Sequence, residues 1–473
     1  MIEPGLDLAR LRRGGNAVAG ALVSLLAALV CADVIARDPR PLRLVVAAVV
    51  CANLALLAIR APRAGAVTTL LFLPFLALTR RLLLPYTPWV STDPLLLVGP
   101  IIAIVVLWQT RLVRPGRDRL TRLLMAICLI GAIESLNPTG GTLRAGLTGF
   151  GVLMAPLLWF FVGRAVCDAV AARTALLGTL GIAGVVGLYG IFQTEQGLPM
   201  WDREWLQTAG YSALNVGGVT RAFGTFSSSS EYALYLAVGL TIALGLVLHG
   251  RLLALVPIPL LAVALFLDSD RGAIVLAVFA ALVLLSLRAG RPRVAALTVV
   301  VGFGVIALAV HFYGPTLTQR GATAVNPLVS HQLTGLGDPL NSRVSTLPAH
   351  WSLVLGGIES GIRRPWGAGT ATIGHVGAQF GATSGGTEVD FADAFHSLGL
   401  VGGVIYAAVM FLALKCVARL YFRRRDPLIF LAAAVLLTTF GSWLNGGYYA
   451  LGPLVWFLIG WMTRVDLLEP EPS

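Results

Sequence analysis

The side chains best suited to chemistry in this sequence are three arginines and one histidine that lie outside its long apolar runs: Arg221, Arg271, Arg343 and His396. A guanidinium group makes paired, charge-assisted hydrogen bonds to phosphate oxygens, so clustered arginines suit a phosphate or a pyrophosphate. Fixed arginines also stabilise the negative charge that grows on a leaving pyrophosphate as its bond to a sugar breaks. The imidazole of His396 is the candidate base, because its pKa permits proton transfer near neutral pH.

His396 differs from the other histidines in its position. It begins an apolar segment at the predicted outer face, within Phe395-His396-Ser397-Leu398-Gly399. Asp390 and Asp393 precede it and could orient its ring, although either is equally well explained as a solvated loop charge. A lone histidine is more often structural than catalytic. The other histidines predicted to lie outside or near the surface are His311, His331, His350 and His375.

Four further arginines are secondary candidates for binding an anionic headgroup: Arg80, Arg81, Arg363 and Arg364. Each arginine alone also has a structural explanation, since an arginine at the membrane edge commonly snorkels or forms an ion pair. The expected partners are Asp268 and Asp270 for Arg271, and Glu134 for the arginine pair at 80–81.

The elements that must position these residues are long apolar segments. The chain has 473 residues, of which 57% are hydrophobic and 12% charged, whereas soluble domains carry roughly 25% charged residues. Unbroken apolar runs of about 17–20 residues favour membrane-spanning helices over the alternating strands of a β-barrel. We therefore expect one all-α integral membrane domain over residues 1–473, a polytopic bundle of about 12–14 transmembrane helices. The predicted segments are 16–36, 42–59, 66–84, 95–112, 120–136, 147–168, 173–192, 231–249, 252–268, 272–288, 294–312, 396–414, 427–443 and 449–464.

The distribution of basic residues predicts the orientation. With the N-terminus in the cytoplasm, the short loops that fall inside carry most of the arginines and Lys415, as the positive-inside rule requires. Both termini are then cytoplasmic, and two long loops, 193–230 and 313–395, are external. The second loop contains a predicted amphipathic helix near 347–362. The net charge of +12 is explained by this topology, and we expect no nucleic-acid partner.

The cysteines give no sign of a metal site or a disulfide framework. All five lie within apolar runs or at their ends, and no two have the spacing of metal ligands. No glycine-rich nucleotide-binding loop with a lysine is present either. We therefore expect neither a metal nor a cofactor.

Five sequence blocks between about 215 and 410 resemble the superfamily of O-antigen ligases and O-antigen polymerases. The blocks are Arg-x-Phe-Gly-Thr-Phe at 221–226, Ser-x-Arg-Gly at 269–272, the stretch from Arg343 to Trp351, Pro-Trp-Gly-Ala-Gly at 365–369, and His396 followed by Leu-Gly-Leu at 398–400. Their order and placement carry the resemblance. One position departs from the family, which commonly has asparagine after the histidine where this chain has Ser397.

The resemblance implies a GT-C-like membrane glycosyltransferase in the bacterial cytoplasmic membrane. Such an enzyme works without a metal and inverts the anomeric configuration. It moves a glycan from a polyprenyl-pyrophosphate donor on the outer face of the membrane to a hydroxyl of a glycan or lipid-linked glycan acceptor. By the same resemblance, His396 activates the acceptor, and Arg221, Arg271 and Arg343 bind the pyrophosphate. Ligase and polymerase share this chemistry, and both remain open.

Two other function classes are compatible with the composition. A transporter or flippase of lipid-linked or anionic solutes would suit many membrane segments, and it predicts polar groups at the membrane midplane and broken helices. A noncatalytic membrane scaffold is the third class, but it would leave the external arginines unexplained.

Overall fold

The computed structural model describes residues 41–90, 92–110, 118–209, 215–288, 292–340, 347–373 and 389–468. Over these ranges the protein is built almost entirely from α-helices. Nine helical stretches of the described residues, with Pro62–Leu82 counted as one, are long and apolar enough to cross a membrane, because about 20 apolar residues at 1.5 Å each span the hydrocarbon core. The chain is therefore an all-α, multi-pass membrane protein, as its composition predicts.

Seventeen α-helices follow one another along the described residues. They are α1 Leu42–Arg60, α2 Pro62–Phe72, α3 Leu76–Leu82, α4 Val98–Gln109, α5 Arg119–Glu134, α6 Leu143–Val166, α7 Ala169–Glu195, α8 Met200–Ala209, α9 Ser229–Leu248, α10 Pro257–Asp268, α11 Arg271–Arg288, α12 Pro292–Thr323, α13 Pro327–Gly337, α14 Leu347–Arg363, α15 Asp390–Arg424, α16 Pro427–Thr438 and α17 Leu451–Leu468. Short 3₁₀ helices lie at Leu73–Phe75, Pro94–Leu97, Pro138–Gly140 and Leu252–Leu255, and a two-stranded hairpin pairs β1 Asn215–Val216 with β2 Val219–Thr220.

Every predicted apolar segment from 42 onward coincides with a helix, and the first, 16–36, lies outside the described residues. The third is divided in two, because Pro74 lies in a 3₁₀ turn between α2 and α3. The described residues between 313 and 395 are largely helical. It holds the end of α12, all of α13 and α14, and the start of α15. Helix α14 coincides with the predicted amphipathic helix.

The ion pairs of the described residues fall into two sets, one at each end of the molecule. At one end they join residues that the charge pattern predicts to be external, and at the other they join residues predicted to be cytoplasmic. No ion pair within the described ranges crosses between the two sets. Pairs of the first set include Arg43–Asp93, Arg81–Asp202 and Arg221–Asp268, and pairs of the second include Arg63–Asp168, Arg164–Asp118 and Arg419–Asp466. The contacts are thus consistent with the predicted alternation of the segments.

Helix pairs at the centre approach closely at glycines. A β-carbon added at Gly163 in α6 would lie 2.0 Å from the carbonyl oxygen of Phe457 in α17, and one at Gly460 would lie 2.0 Å from that of Phe160. In a membrane, where apolar burial does not drive helices together, such close backbone packing holds a bundle in place. The loops that carry the candidate site are therefore connected to closely packed helices.

Candidate functional site

The turn between α10 and α11 places Arg271 at the start of a helix. Ser269 ends α10 with φ +64° and ψ +24°, a left-handed conformation that is uncommon for residues other than glycine. Asp270 then caps α11, since its Oδ1 accepts the backbone N–H of Ala273 at 2.9 Å. This tight turn directs Arg271 toward α13.

Arg271 is hydrogen-bonded to a histidine on α13. Its Nη2 lies 3.3 Å from Nε2 of His331, and Nδ1 of His331 lies 2.8 Å from Oγ of Ser269. A guanidinium can only donate, so Nε2 of His331 accepts and Nδ1 carries the proton. Oγ of Ser269 accepts that proton and donates its own toward Oε1 of Gln332 at 3.4 Å. The four residues form one directed chain of hydrogen bonds.

His331 is neutral in this arrangement. Burial lowers the pKa of His331, and the positive charges of Arg271 and Arg221 lower it further. A protonated ring would also lose the lone pair that accepts from Arg271. Geometry and electrostatics therefore agree on the neutral tautomer with the proton on Nδ1.

Three buried donors beside this chain have no hydrogen-bond partner among the described residues: Nε and Nη1 of Arg271 and Nε2 of Gln332. Arg271 is only 8% exposed, and no ion pair involving it occurs in the described part of the chain. The close approach of α13 depends on Gly335, where an added β-carbon would lie 1.7 Å from Nη1 of Arg271. Unpaired buried donors are costly, and an anion that accepted from them would remove this cost.

Arg221 is already neutralised. Its Nε donates to the carbonyl oxygen of Asp268 at 2.6 Å, and its Nη2 reaches Oδ2 of Asp268 at 2.9 Å and Oδ2 of Asp270 at 3.2 Å. Although burial lowers the pKa of Arg221, the two carboxylates outweigh this effect and raise it above its ordinary value. The expectation that these aspartates pair with Arg271 is wrong, because the turn at Ser269 directs them toward Arg221.

Arg80 and Arg81 are also held by aspartates, and not by Glu134 as expected. Arg80 lies 3.3 Å from Asp93, with its guanidinium over the ring of Trp89. Arg81 is fully buried, 3.0 Å from Asp202, and donates to the carbonyl oxygen of Gly224 at 2.8 Å. Glu134 instead accepts from Asn137 at 2.7 Å. Arg81 therefore anchors Asp202 and Gly224 to α3, and Arg80 anchors Asp93 to the same helix.

His396 lies in the first turns of α15, half-buried, with Nδ1 2.8 Å from Oγ of Ser360 on α14. This hydrogen bond joins Nδ1 to Ser360 and not to either predicted carboxylate. Asp390 is buried and accepts the backbone N–H groups of Leu444 and Asn445. Asp393 accepts from Ser397 through its backbone carbonyl. Ser360 therefore takes the position expected of the aspartates.

The helix that carries His396 is broken three residues later. Gly399 has φ +72° and ψ −173°, a conformation essentially restricted to glycine. The break frees backbone groups on both sides, and the Pro-Trp-Gly-Ala-Gly block satisfies them. Ala368 N–H donates to the carbonyl of His396 at 2.9 Å, and the carbonyl of Pro365 accepts from Leu400 at 3.1 Å.

The same block is fixed on its other side by the loop after α5. Nδ2 of Asn137 donates to the carbonyl of Gly367 at 3.2 Å, and Oγ1 of Thr139 donates to that of Ala368 at 2.7 Å. The block that carries part of the family resemblance thus serves as a brace that sets the position of His396.

The remaining predicted residues are more peripheral or lie outside the described ranges. Arg343 is outside the described residues. Arg363 is exposed and forms an ion pair with Glu359 one helical turn away at 2.5 Å. Arg364 is exposed near the His396 end of α14.

The structure therefore forms two groups at the same end of the molecule. One contains Arg221, Arg271 and His331, and the other contains His396 and Ser360. No hydrogen bond or ion pair between described residues joins them. Nor does any set of three or more His, Cys, Asp or Glu side chains in the described ranges form a metal-binding group.

An open cavity of about 680 Å³ lies beside α13, and neither Arg221, Arg271 nor His331 lines it. It lies between α12 and the residues that end α13, with Val310 and Pro315 on one wall and Gly337 and Leu340 on the other. Gly335 faces Arg271, whereas Gly337 lines the cavity, and residues two apart on a helix lie on nearly opposite sides of it. The volume is within the range of about 300–1,000 Å³ that is usual for ligand sites.

Sequence reasoning did not single out His331, Gln332 or Ser360. His331 and Gln332 lie in Val329-Ser330-His331-Gln332, which has no spacing that separates it from an ordinary polar turn. Only the packing of α13 against α11 reveals their role.

Comparison with known proteins gives no match, since no family model, curated protein or solved structure is significantly similar to this chain. The resemblance to O-antigen ligases and polymerases therefore rests on the five sequence blocks alone.

Proposed function

We propose that this protein is a membrane glycosyltransferase of the O-antigen ligase or polymerase type. It moves a glycan from a polyprenyl-pyrophosphate donor to an acceptor hydroxyl at the outer face of a bacterial cytoplasmic membrane. In this proposal the GT-C-like bundle has about 12–14 transmembrane helices and cytoplasmic termini. The transfer inverts the anomeric configuration and needs no metal.

The observation that carries the proposal is the buried guanidinium of Arg271. Its two donors without partners and the neighbouring amide of Gln332 supply several N–H groups, on a guanidinium that forms no ion pair within the described residues although the charge of Asp270 acts on it. A pyrophosphate has the charge and the acceptor oxygens to satisfy them. As the sugar–phosphate bond breaks, the leaving pyrophosphate gains negative charge, and this fixed guanidinium stabilises it more strongly than it stabilises the intact donor.

The supporting residues have distinct roles in this proposal. Arg221 holds the turn that positions Arg271, because its own charge is already neutralised by Asp268 and Asp270. His396, braced at the helix break and bonded through Nδ1 to Ser360, takes the proton of the acceptor hydroxyl on Nε2.

The His396→Ala variant tests the proposal. The purified protein is incubated with a polyprenyl-pyrophosphate oligosaccharide, with and without a lipid-core acceptor, and glycan transfer is measured. We expect the variant to lose about 10²–10⁴-fold in kcat, the contribution typical of a general base, while its thermal unfolding stays near that of the wild type. Transfer at the wild-type rate would refute the mechanism. Product formed with the core acceptor indicates a ligase, and product formed without it indicates a polymerase.

One observation favours the alternative of a transporter or flippase. The break at Gly399 divides α15, and discontinuous helices line substrate sites in many transporters. The two functions differ in their products, since a transporter moves the lipid-linked substrate without forming a new covalent bond.

A further inference from the structure

His331 is a half-buried titratable group hydrogen-bonded to Arg271, and the proposed reaction gives it no direct role. It lies between the guanidinium and Ser269, and its two ring nitrogens bond to different residues. Such an arrangement fixes the ring orientation, the tautomer and one edge of the guanidinium at the same time.

We propose that His331 is a positioning residue that holds Arg271 in its anion-binding orientation only while the imidazole is neutral. This inference rests on the pyrophosphate role proposed for Arg271. Nε2 of His331 accepts from Nη2 of Arg271, so the guanidinium is held by one edge, while the buried Nε and Nη1 have no hydrogen-bond partner among the described residues.

Few other contacts hold the guanidinium of Arg271 in place. Gly335 lies against Nη1 of Arg271 and limits its movement on one side. No carboxylate of the described residues pairs with the guanidinium, since Asp268 and Asp270 are both directed at Arg221. Among the described residues, His331 is therefore the one side chain that is hydrogen-bonded to Arg271.

Protonation of His331 would remove its hydrogen bond to Arg271. The protonated ring has a donor at Nε2 in place of an acceptor, so the bond to Arg271 is replaced by repulsion between two cations. The charged groups that face the ring are Arg271 and, beyond it, Arg221, which Asp268 and Asp270 neutralise.

The other elements packed beside α13 add no compensating charge. Helix α12 carries His311 and Arg320, and both side chains are exposed. The β1 strand, which also contacts α13, contains only Asn215 and Val216. A proton on His331 would thus meet no carboxylate that is not already paired among the described residues of these elements.

The direction of the pH dependence follows from these contacts. Burial and the neighbouring arginines keep the pKa of His331 below its ordinary value. The support is therefore complete above the unfolded-state pKa of about 6.5, and it is lost as the pH falls through the lower pKa of the folded protein.

Two substitutions separate the two ring nitrogens. In His331→Gln the side-chain oxygen replaces Nε2 and can still accept from Arg271. In His331→Asn the shorter side chain keeps a polar group only near the position of Nδ1, which faces Ser269. A role confined to packing or to the Ser269 contact would affect the glutamine variant at least as much as the asparagine variant.

The test measures binding of inorganic pyrophosphate to the purified full-length protein by calorimetry between about pH 5 and pH 8, a range that includes the titration of histidine. Because pyrophosphate itself titrates in this range, the readout is the ratio of variant to wild-type Kd at each pH. At neutral pH we expect the asparagine variant to bind about tenfold more weakly and the glutamine variant within about threefold of wild type, the difference expected for one charge-assisted hydrogen bond. Toward pH 5 the wild type should weaken relative to the glutamine variant.

Equal Kd values for the two variants, or a glutamine variant whose pH dependence matches the wild type, would overturn the role of His331. If the glutamine variant does not fold, Ser269→Ala is the substitute, because it removes the acceptor of Nδ1, and unchanged binding would also refute the inference. Glycan transfer is measured on the same preparations. Normal pyrophosphate binding with no transfer by the wild type contradicts the proposed reaction but not the role of His331.

Discussion

Replacing Arg271 by lysine keeps the positive charge and removes the planar fork of donors. The guanidinium has two buried donors, Nε and Nη1, without a hydrogen-bond acceptor among the described residues, and its Nη2 is hydrogen-bonded to His331. A lysine ammonium is a single point on a flexible stem, and it cannot occupy both donor positions while it also faces His331. The variant therefore loses at least one charge-assisted hydrogen bond to the pyrophosphate.

The size of the effect follows from that count. One charge-assisted hydrogen bond contributes about 1.5–3 kcal/mol, and about 1.4 kcal/mol in the transition state corresponds to a factor of ten in rate. We therefore expect kcat/KM for glycan transfer to fall about 10–100-fold. The assay is transfer from a polyprenyl-pyrophosphate oligosaccharide by purified protein, with the same loss expected in the Kd for inorganic pyrophosphate.

The matched control is Arg203→Lys. Arg203 is an exposed arginine of α8, predicted to lie on the same side of the membrane, and its replacement should change kcat/KM less than about twofold, as is usual for exposed positions. An Arg271→Lys variant with the activity of the wild type would show that charge alone suffices and that the fork geometry is irrelevant.

Two further predictions concern stability. Arg81→Met should lower the free energy of unfolding by about 3–5 kcal/mol, because it leaves the buried carboxylate of Asp202 without its cationic partner, with hydrogen bonds from Tyr189 and Gln193 alone. Adding Asp202→Asn should restore part of the loss in a thermal denaturation assay, and no restoration would contradict the pairing. Gly399→Ala should lower it by at least about 1–3 kcal/mol, the cost of a glycine-only conformation, since the new β-carbon would also lie 2.2 Å from the carbonyl oxygen of Pro365. The control is Gly184→Ala in α7, where an added β-carbon contacts nothing within 4 Å, and equal melting temperatures for the two alanine variants would refute the brace.

The helices could be predicted from the sequence because their signal is strong. A run of about 20 apolar residues can be accommodated in only a few ways in a membrane, and each predicted segment from 42 onward is a helix. The predicted ends of the helices are less accurate where a helix continues beyond its apolar residues. Helix α12 continues past the predicted end of its segment at 312 to Thr323, since hydropathy marks the part that suits lipid and not the part that stays helical.

The ionic partners could not be predicted, because nearness in sequence is a poor guide to nearness in the fold. Asp268 and Asp270 flank Ser269 and adjoin Arg271, yet the left-handed conformation of Ser269 turns both toward Arg221. His331 is remote in sequence from Arg271, and only the packing of α13 reveals its contact. Arg271 was predicted as a candidate from its residue type and place, whereas the means of its support required the structure.

The most direct test of the central claim is to reconstitute the purified protein in liposomes with a fluorescent polyprenyl-pyrophosphate oligosaccharide and an acceptor. Mass spectrometry then follows both the glycan product and the released polyprenyl pyrophosphate. The glycosyltransferase proposal predicts that the two form in equal amounts and that His396→Ala abolishes both together. Movement of the intact donor between leaflets, with no new glycosidic product and no released polyprenyl pyrophosphate, would contradict it.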